Sequence, residues 1–568
     1  MMSGIAGFLD SGVGSQAAWC DGAAGIGLDG AVAASRDGRW VAALDGTLYN
    51  RADLRRRLDP VEWAGRDDAE TLVEAVARWG IERALQALDG QFAIALWDRL
   101  ERVLHLARDP MGERTLYWAR CGGGLRFASR LGALTADSAF DAAIDRDAVA
   151  TYLRLGHVPA PFTIHRHARK VVAGTILTLK GGDDSVRPFW DAAERARAVA
   201  GGFTGGPAAA AERLNLLLRA SVSLRLEAEP VVGVILTGDA QSALAAAVAR
   251  ALGTPRLSSV SLAADGDDPA AAVARVLETD HHAIAPTDDD LRAILPDLAA
   301  AWDEPFADPA MPAAVLTARL AARHMKVALA GTGAEILMGC DPLYRLLPEE
   351  WARRNASPSW LRRLEHLVGR APAAAPSQAA LLGLHRSLWR GLPDPVPGAK
   401  GVPTPFDRDP GVADPVLAAM VTDCLASLPD RRLALAGGAA MAQGIELRSP
   451  FLDPAMVELA WSLPTADPLD EAGCPACLRD VLCRYLPPEA LPAGPAPEAP
   501  LARWLDGPLA EWAGDLLSEA RLKRRGLIDP AAMARCRREA AKGQDRTGEI
   551  WAVLMLEAWA EAATHPIL

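Results

Sequence analysis

Between residues 231 and 249 the chain reads VVGVILTGDAQSALAAAVA. An apolar run closes at Leu236, a glycine-containing turn covers Thr237 to Gln241, and an alanine-rich helix is predicted to open at Ser242. A buried strand fed through a tight turn into a helix is the building unit of a parallel sheet with helical crossovers, so this stretch limits the fold more than any other. It also aims backbone N–H groups and the positive end of a helix at one point, where an anion is favoured. Short apolar runs then alternate with Ala-rich helical segments, LSSVSL (257–262) being the next strand, which predicts helices on both faces of the sheet.

A chain of 568 residues has room for roughly two to four domains with sizeable cores. Its net charge of −12 disfavours a nucleic-acid partner. No apolar run is long enough to span a bilayer, and the first residues lack the basic region and long apolar core of a signal peptide; the expectation is a cytoplasmic protein with no membrane partner. The eight cysteines are too sparse for a disulfide framework. Cys474 and Cys477 form a C-x-x-C with Cys483 following, but no fourth Cys or His lies near enough in sequence to predict zinc.

The turn Thr237, Gly238, Asp239, Ala240, Gln241, Ser242 resembles the pyrophosphate loop of the asparagine synthetase family, Ser-Gly-Gly-x-Asp-Ser after a strand ending in Leu, here Leu236. The resemblance extends over nearly the whole chain. It implies a two-domain α/β protein: an N-terminal class II glutamine amidotransferase-like α/β/β/α sandwich over 1–191, a linker over 192–212 (including the Gly- and Ala-rich AVAGGFTGGPAAAAE), and over 213–568 a parallel-sheet synthetase domain of the adenine-nucleotide α-hydrolase type. It implies ATP and Mg²⁺ as cofactors and amide-bond formation through an adenylated carboxylate.

The residues that carry this chemistry are altered. The second Gly of the loop is Asp239 and the metal-binding Asp is Gln241. A carboxylate about 5 Å from a phosphate charge costs about 3 kcal/mol per charge pair at an effective dielectric near 20. That penalty weakens binding by roughly a few hundredfold. Val260 stands where the family contacts adenine. The second nucleotide loop, Ser-Gly-Glu-Gly-Ala-Asp-Glu in the family, is Ala330, Gly331, Thr332, Gly333, Ala334, Glu335, Ile336, leaving Glu335 as the one candidate Mg²⁺ ligand. The Lys-x-Asp-Arg is Leu435-Ala436-Gly437-Gly438, the Lys-x-x-Leu-Arg is Pro475 to Arg479, and the Lys-x-Gly-Phe is Gly494-Pro495-Ala496-Pro497. Lysines that would neutralise a leaving pyrophosphate are therefore missing from the matching motifs.

The N-terminal domain is changed in the same way. The family's nucleophilic cysteine is Ser3, which would need its own free α-amine as base and so translation from Met2 followed by loss of that Met. The oxyanion Asn is Asp45, in Asp45-Gly46-Thr47-Leu48-Tyr49-Asn50, a carboxylate of the wrong sign for that task. Asp68 and Glu70 match the Asp-x-Glu that holds the glutamine amine, whereas the segment with the carboxylate-binding Arg is shortened between Cys20 and Val41. DGQFAIALWD (89–98), LARDPMGERTLYW (106–118) and MAQGIELRSPFLDPAMVELAWSLP (441–464) match the family's packing motifs, with Glu446 and Arg448 expected as a structural ion pair. His157, His165, His167, His281 and His282 are expected to be structural, and 371–415 to be an irregular insertion.

Substitutions thus fall on charged and glycine positions while apolar motifs stand. The expectation is a catalytically degenerate member acting as a binding or scaffold subunit, with a peptide or an active paralogue as partner, or a homo-oligomer. The alternative is a divergent, glutamine-independent ATP-dependent amide ligase resembling β-lactam synthetase or lasso-peptide cyclases, with Arg448 and Arg479 available for pyrophosphate.

Overall fold

The computed structural model describes residues 4–9, 19–21, 26–227, 231–254, 256–263, 268, 270–356, 377–465, 469, 474–492 and 500–564. Ser3 and the Gly494–Pro497 stretch lie outside these residues, as does 371–376 of the expected insertion. The chain forms two compact units, one of Met1–Asp145 with Pro159–Asp191, the other of Arg146–Val158 with Ala192–Leu568.

The first unit carries strands β1 (Ala6–Leu9), β2 (Trp19–Asp21), β3 (Ile26–Asp29), β4 (Ala31–Ala34), β5 (Trp40–Leu48), β6 (Gly90–Asp98), β7 (Val103–Arg108), β8 (Tyr117–Cys121), β9 (Gly124–Ala128), β10 (Ala168–Lys170), β11 (Thr175–Lys180) and β12 (Asp183–Pro188). They form two six-stranded sheets, ordered β10-β8-β9-β1-β3-β2 and β12-β11-β7-β6-β5-β4. Alternate residues of both sheets meet in a shared core that includes Ile26, Leu28, Val41, Trp97, Leu104, Leu106, Phe127 and Leu177. Helix Asp68–Trp79 packs on β5, and the short helix Leu131–Thr135 on β8 and β9. This is the α/β/β/α sandwich that the resemblance implies.

The second unit is built on β13 (Val232–Ile235), β14 (Ser258–Leu262), β15 (Asp280–Ile284), β16 (Val327–Leu329) and β17 (Glu446–Arg448). All its pairings are parallel, in the order β15-β14-β13-β16-β17. The chain runs outward on one side of β13 through β14 and β15, then returns to the other side at β16. The carboxyl ends of β13 and β16 therefore flank a topological switch point, where such sheets open a ligand crevice.

Three segments differ from expectation. Residues 192–212 carry helix Ala192–Val199 and the start of helix Pro207–Glu227, and they group with the second unit. Helix Arg146–Leu155, placed with the first domain by a boundary at 191, packs into the second unit: Tyr152 donates to Ala552 O at 2.7 Å and Thr151 Oγ1 accepts from Val402 N at 2.8 Å. Within the expected irregular insertion, Gln378–Arg386 is a helix capped by Ser377, since Ala- and Leu-rich QAALLGLHR has an apolar face that Pro-rich flanks hide at the composition level. Among the described residues no helix is long and apolar enough to cross a membrane.

Candidate functional site

The crevice at the switch point is assembled from the two loops singled out in the sequence. Leu236 N donates to Val260 O at 2.9 Å, which fixes the exit of β13; Val260 itself is fully buried. Gly238 follows at φ 85°, and Asp239 at φ −93°, ψ 166° is the N-cap of helix Ala240–Ala251. The helix opens two residues before the predicted Ser242 because the Asp239 side chain caps it. Its carboxylate accepts from Ser242 N at 2.7 Å and from the Thr237 hydroxyl at 2.6 Å. The Ser242 hydroxyl in turn accepts from Thr237 N at 3.1 Å. One first-turn donor of this helix, Ser242 N, is thus capped by the protein's own carboxylate.

Beyond β16, Ala330 N donates to Arg448 O at 3.1 Å, and Gly331 lies directly against the Ala240 helix. A Cβ at Gly331 would stand 2.7 Å from Ser242 N and 2.9 Å from Gln241 Cβ, so this approach requires glycine. Thr332 contributes its carbonyl, which accepts from the Ser449 hydroxyl at 2.8 Å. Gln241 is nearly buried and donates its amide to Cys340 Sγ at 3.2 Å, and burial pushes the Cys340 thiol well above its ordinary range.

Glu335, in the short helix Ala334–Leu337, meets a partner that the motifs did not reveal. Its carboxylate lies 3.5 Å from the guanidinium of Arg432, and each side chain keeps 36 % of its exposure. Burial raises the Glu335 carboxyl above its usual range; Arg432 opposes this and the nearby Asp239 charge adds to it. Arg432 ends a π-helical turn, Leu428–Arg432, a local irregularity that re-aims consecutive side chains. Arg431 on the same turn reaches Asp308 Oδ2 at 3.0 Å. Arg386 reaches Asp423 Oδ2 through Nε at 2.9 Å and Asp341 Oδ2 at 2.7 Å. Each of the three guanidinium groups thus faces a carboxylate. Sequence reasoning missed this network because its arginines lie outside the family motifs; the dibasic Arg431-Arg432 just ahead of an apolar helix was the available signal.

The site's other charged positions are replaced by packing. Leu435 to Gly438 lie in helix Leu433–Ala442, and Trp302 covers Gly438, donating its indole N–H to Ala434 O at 2.8 Å. A Cβ at Gly438 would come within 2.3 Å of Trp302 Nε1. Arg448 donates to Glu446 Oε1 at 2.8 Å and to Arg225 O at 2.6 Å, a buried structural arrangement. Arg479 sits exposed on helix Ala476–Leu482, and Arg448 is committed to its buried partners. His281 is held between Ser259 Oγ and Asp268 Oδ2, both at 2.7 Å, and His282 stacks on His324 with ring centres 3.6 Å apart.

In the first unit, Asp45 accepts from Ser129 Oγ at 2.6 Å and lies 3.8 Å from Arg114; Ser129 Oγ also accepts from Ile5 N at 3.0 Å. Gly46 is at φ 131°, where a Cβ would stand 1.9 Å from Gln91 O, and Thr47 continues β5 opposite Gln91. Asp68 accepts from Leu48 N and from the Arg51 guanidinium, both at 2.9 Å; burial raises its carboxyl against these bonds. Glu70 caps the loop before it, accepting from Ala64 N at 2.7 Å.

These residues do not fit a two-carboxylate Mg²⁺ site. Gln241 is a neutral amide turned to Cys340, Glu335 is shared with Arg432, and no group of three His, Cys, Asp or Glu among the described residues is placed to hold a metal. At the helix N-terminus the Ser242 N–H and the Thr237 hydroxyl both donate to Asp239.

Comparison with known proteins gives a family model described as asparagine synthase over residues 213–561 and one described as a glutamine amidotransferase domain over residues 31–190. A Mycobacterium tuberculosis protein, provisionally described as a glutamine-hydrolysing asparagine synthetase, is 30 % identical over 550 residues, covering 91 % of this chain and 83 % of the relative. A Mycobacterium bovis protein of the same description matches equally. Asparagine synthetase 1 (glutamine-hydrolysing) of Bacillus subtilis is 24 % identical, covering 91 % of this chain and 84 % of its own.

Proposed function

The chain belongs to the asparagine synthetase family, and on that premise we propose that it is a member without ATP-dependent adenylation or glutamine hydrolysis, serving as a binding or scaffold subunit for a peptide or an active relative. The observation that carries this reading is the Asp239 carboxylate seated on Ser242 N and the Thr237 hydroxyl, in the position where the family's loop receives a phosphate. A bound triphosphate would have to displace that cap and meet the negative charges of Asp239 and Glu335. The Asp45 carboxylate supports the same reading for the amidotransferase site, because it puts negative charge where an oxyanion would develop.

The test is calorimetric titration of MgATP into the purified protein, with pyrophosphate release followed in parallel. No binding at millimolar nucleotide, from a protein that melts cooperatively, is the expected result. Sub-millimolar binding with pyrophosphate release would replace this reading by the divergent amide ligase. The observation favouring that second reading is Arg432, a guanidinium beside Glu335 in a chain whose matching motifs lack the family's lysines.

A further inference from the structure

We propose that the outward face of helix Pro530–Ala540, with Lys542 just beyond its end, is a docking surface for an acidic peptide segment of a partner protein. This rests on the binding-subunit reading above and names the surface and the chemistry of the partner.

Charge is unevenly spread along the chain. The net value is −12, yet residues 519–546 hold nine Arg and Lys against four Asp and Glu, a net +5 that leaves −17 for the rest. The helix buries Ala532, Met533 and Cys536, while Arg535, Arg537, Arg538 and Lys542 are exposed. Positions three and four apart are neighbours on a helix surface, so Arg535, Arg538 and Lys542 form one row, with Arg537 on the other flank of the same face. Glu539 accepts from Arg535 at 3.0 Å and from Arg546 at 2.6 Å, and Asp529 is engaged as the N-cap on Ala531 N at 2.9 Å. Among the described residues no carboxylate pairs with Arg537, Arg538 or Lys542. The helix macrodipole, equivalent to about half an elementary charge at the C-terminus, accounts for one cation there. The others repel at helical spacing until an anion covers them.

The surroundings decide which kind of anion fits. None of the large apolar side chains left exposed lies between 519 and 546, so this face has nothing to sink into a bilayer. A nucleic acid carries its phosphates well past a helix of 11 residues and would meet a molecule whose other residues sum to −17. A short acidic segment confines its charge to the basic face. Its attraction steers the encounter and is weakened by salt.

The experiment is fluorescence anisotropy of the full chain with a labelled Glu- and Ala-rich peptide as long as the helix, the same peptide with Gln for Glu serving as control. Wild type should bind the Glu peptide at low ionic strength, progressively less as salt rises, and should not bind the Gln peptide. Arg537→Glu, Arg538→Glu and Lys542→Glu combined should lower the affinity about tenfold or more. Arg83→Glu, Arg256→Glu and Arg275→Glu combined, the same charge change at exposed arginines elsewhere, should lower it far less. Arg538→Gln with Lys542→Gln, which keeps good helix formers, guards against a misfolded charge reversal and should lower affinity in the same direction. No binding by wild type, equal losses in the two triple variants, or tighter binding of a DNA oligonucleotide or of phosphatidylserine vesicles through the same three residues would each overturn the proposal. The functional reading fails separately, on MgATP binding with pyrophosphate release in wild type.

Discussion

At the residue scale, the informative change is in the role of Asp239. Read in sequence it is a charge that repels phosphate; in the fold it is also the cap that satisfies the first turn of a buried helix. Asp308 shows the same dependence on context. It lies in the DEPFADPAMP loop, is 3 % exposed, and pairs with Arg431, which is 123 residues away in sequence. Burial alone would raise its carboxyl, but Arg431, Arg432 and the Ala310 N–H outweigh burial and hold it below its usual range. A depressed native value means that the pair's stabilisation is present above the ordinary carboxyl value of 3.8 and is lost as pH falls through the lower native one. Asp308→Asn should therefore cost about 3–5 kcal/mol in urea unfolding at pH 7, the cost of stranding a buried arginine. The gap from wild type should narrow below pH 3.8. A gap that stays constant into acid would mean that the Asp308 charge contributes nothing.

At the scale of elements, helix Leu433–Ala442 shows which substitutions the fold has absorbed. Its two glycines replace charged family positions, yet their surroundings differ. A Cβ on Gly437 would meet nothing within 4 Å, whereas one on Gly438 would strike the Trp302 indole. Gly437→Ala should stabilise the protein by about 0.5–1 kcal/mol through reduced freedom of the unfolded chain. Gly438→Ala should destabilise it by about 1–3 kcal/mol, the usual cost of overpacking. Thermal melts of the two variants check both signs; equal shifts would show that Trp302 is not held over the helix. Helix Ala240–Ala251 makes a related point: ten of its twelve residues are buried, so its alanines are there for close approach on several sides and are more than a compositional habit.

At the scale of the whole molecule, the two units keep the family's frameworks, while Asp239, Glu335, Asp45 and Asp68, matched to its motif positions, each pair with groups of their own unit. A protein gains apparent stability from whatever binds its native state. Neither MgATP nor L-glutamine at millimolar concentration should move the melting transition of wild type, and a rise with either would identify a site that remains open. Much of the architecture is legible in the sequence. The alternation of apolar runs with helical segments is local and pointed to the parallel sheet, while the motifs at 89–98 and 441–464 carry the resemblance that implied a sandwich ahead of it. Three structural elements escaped this reading: the helices within 192–212, the packing of Arg146–Leu155 in the second unit and the helix at Gln378–Arg386. For 192–212 and 378–386 tertiary contacts override a composition that reads as linker or loop, and the side to which Arg146–Leu155 packs depends on partners as far along the chain as Val402 and Ala552. The sequence by itself thus determined the family, the parallel sheet of the second unit and the positions at which this chain departs from the family's motifs. Tertiary structure alone decided that Arg432 meets Glu335, Arg431 meets Asp308 and Trp302 covers Gly438, because charge pairing and close packing depend on distances between side chains far apart in the chain, which no local pattern encodes.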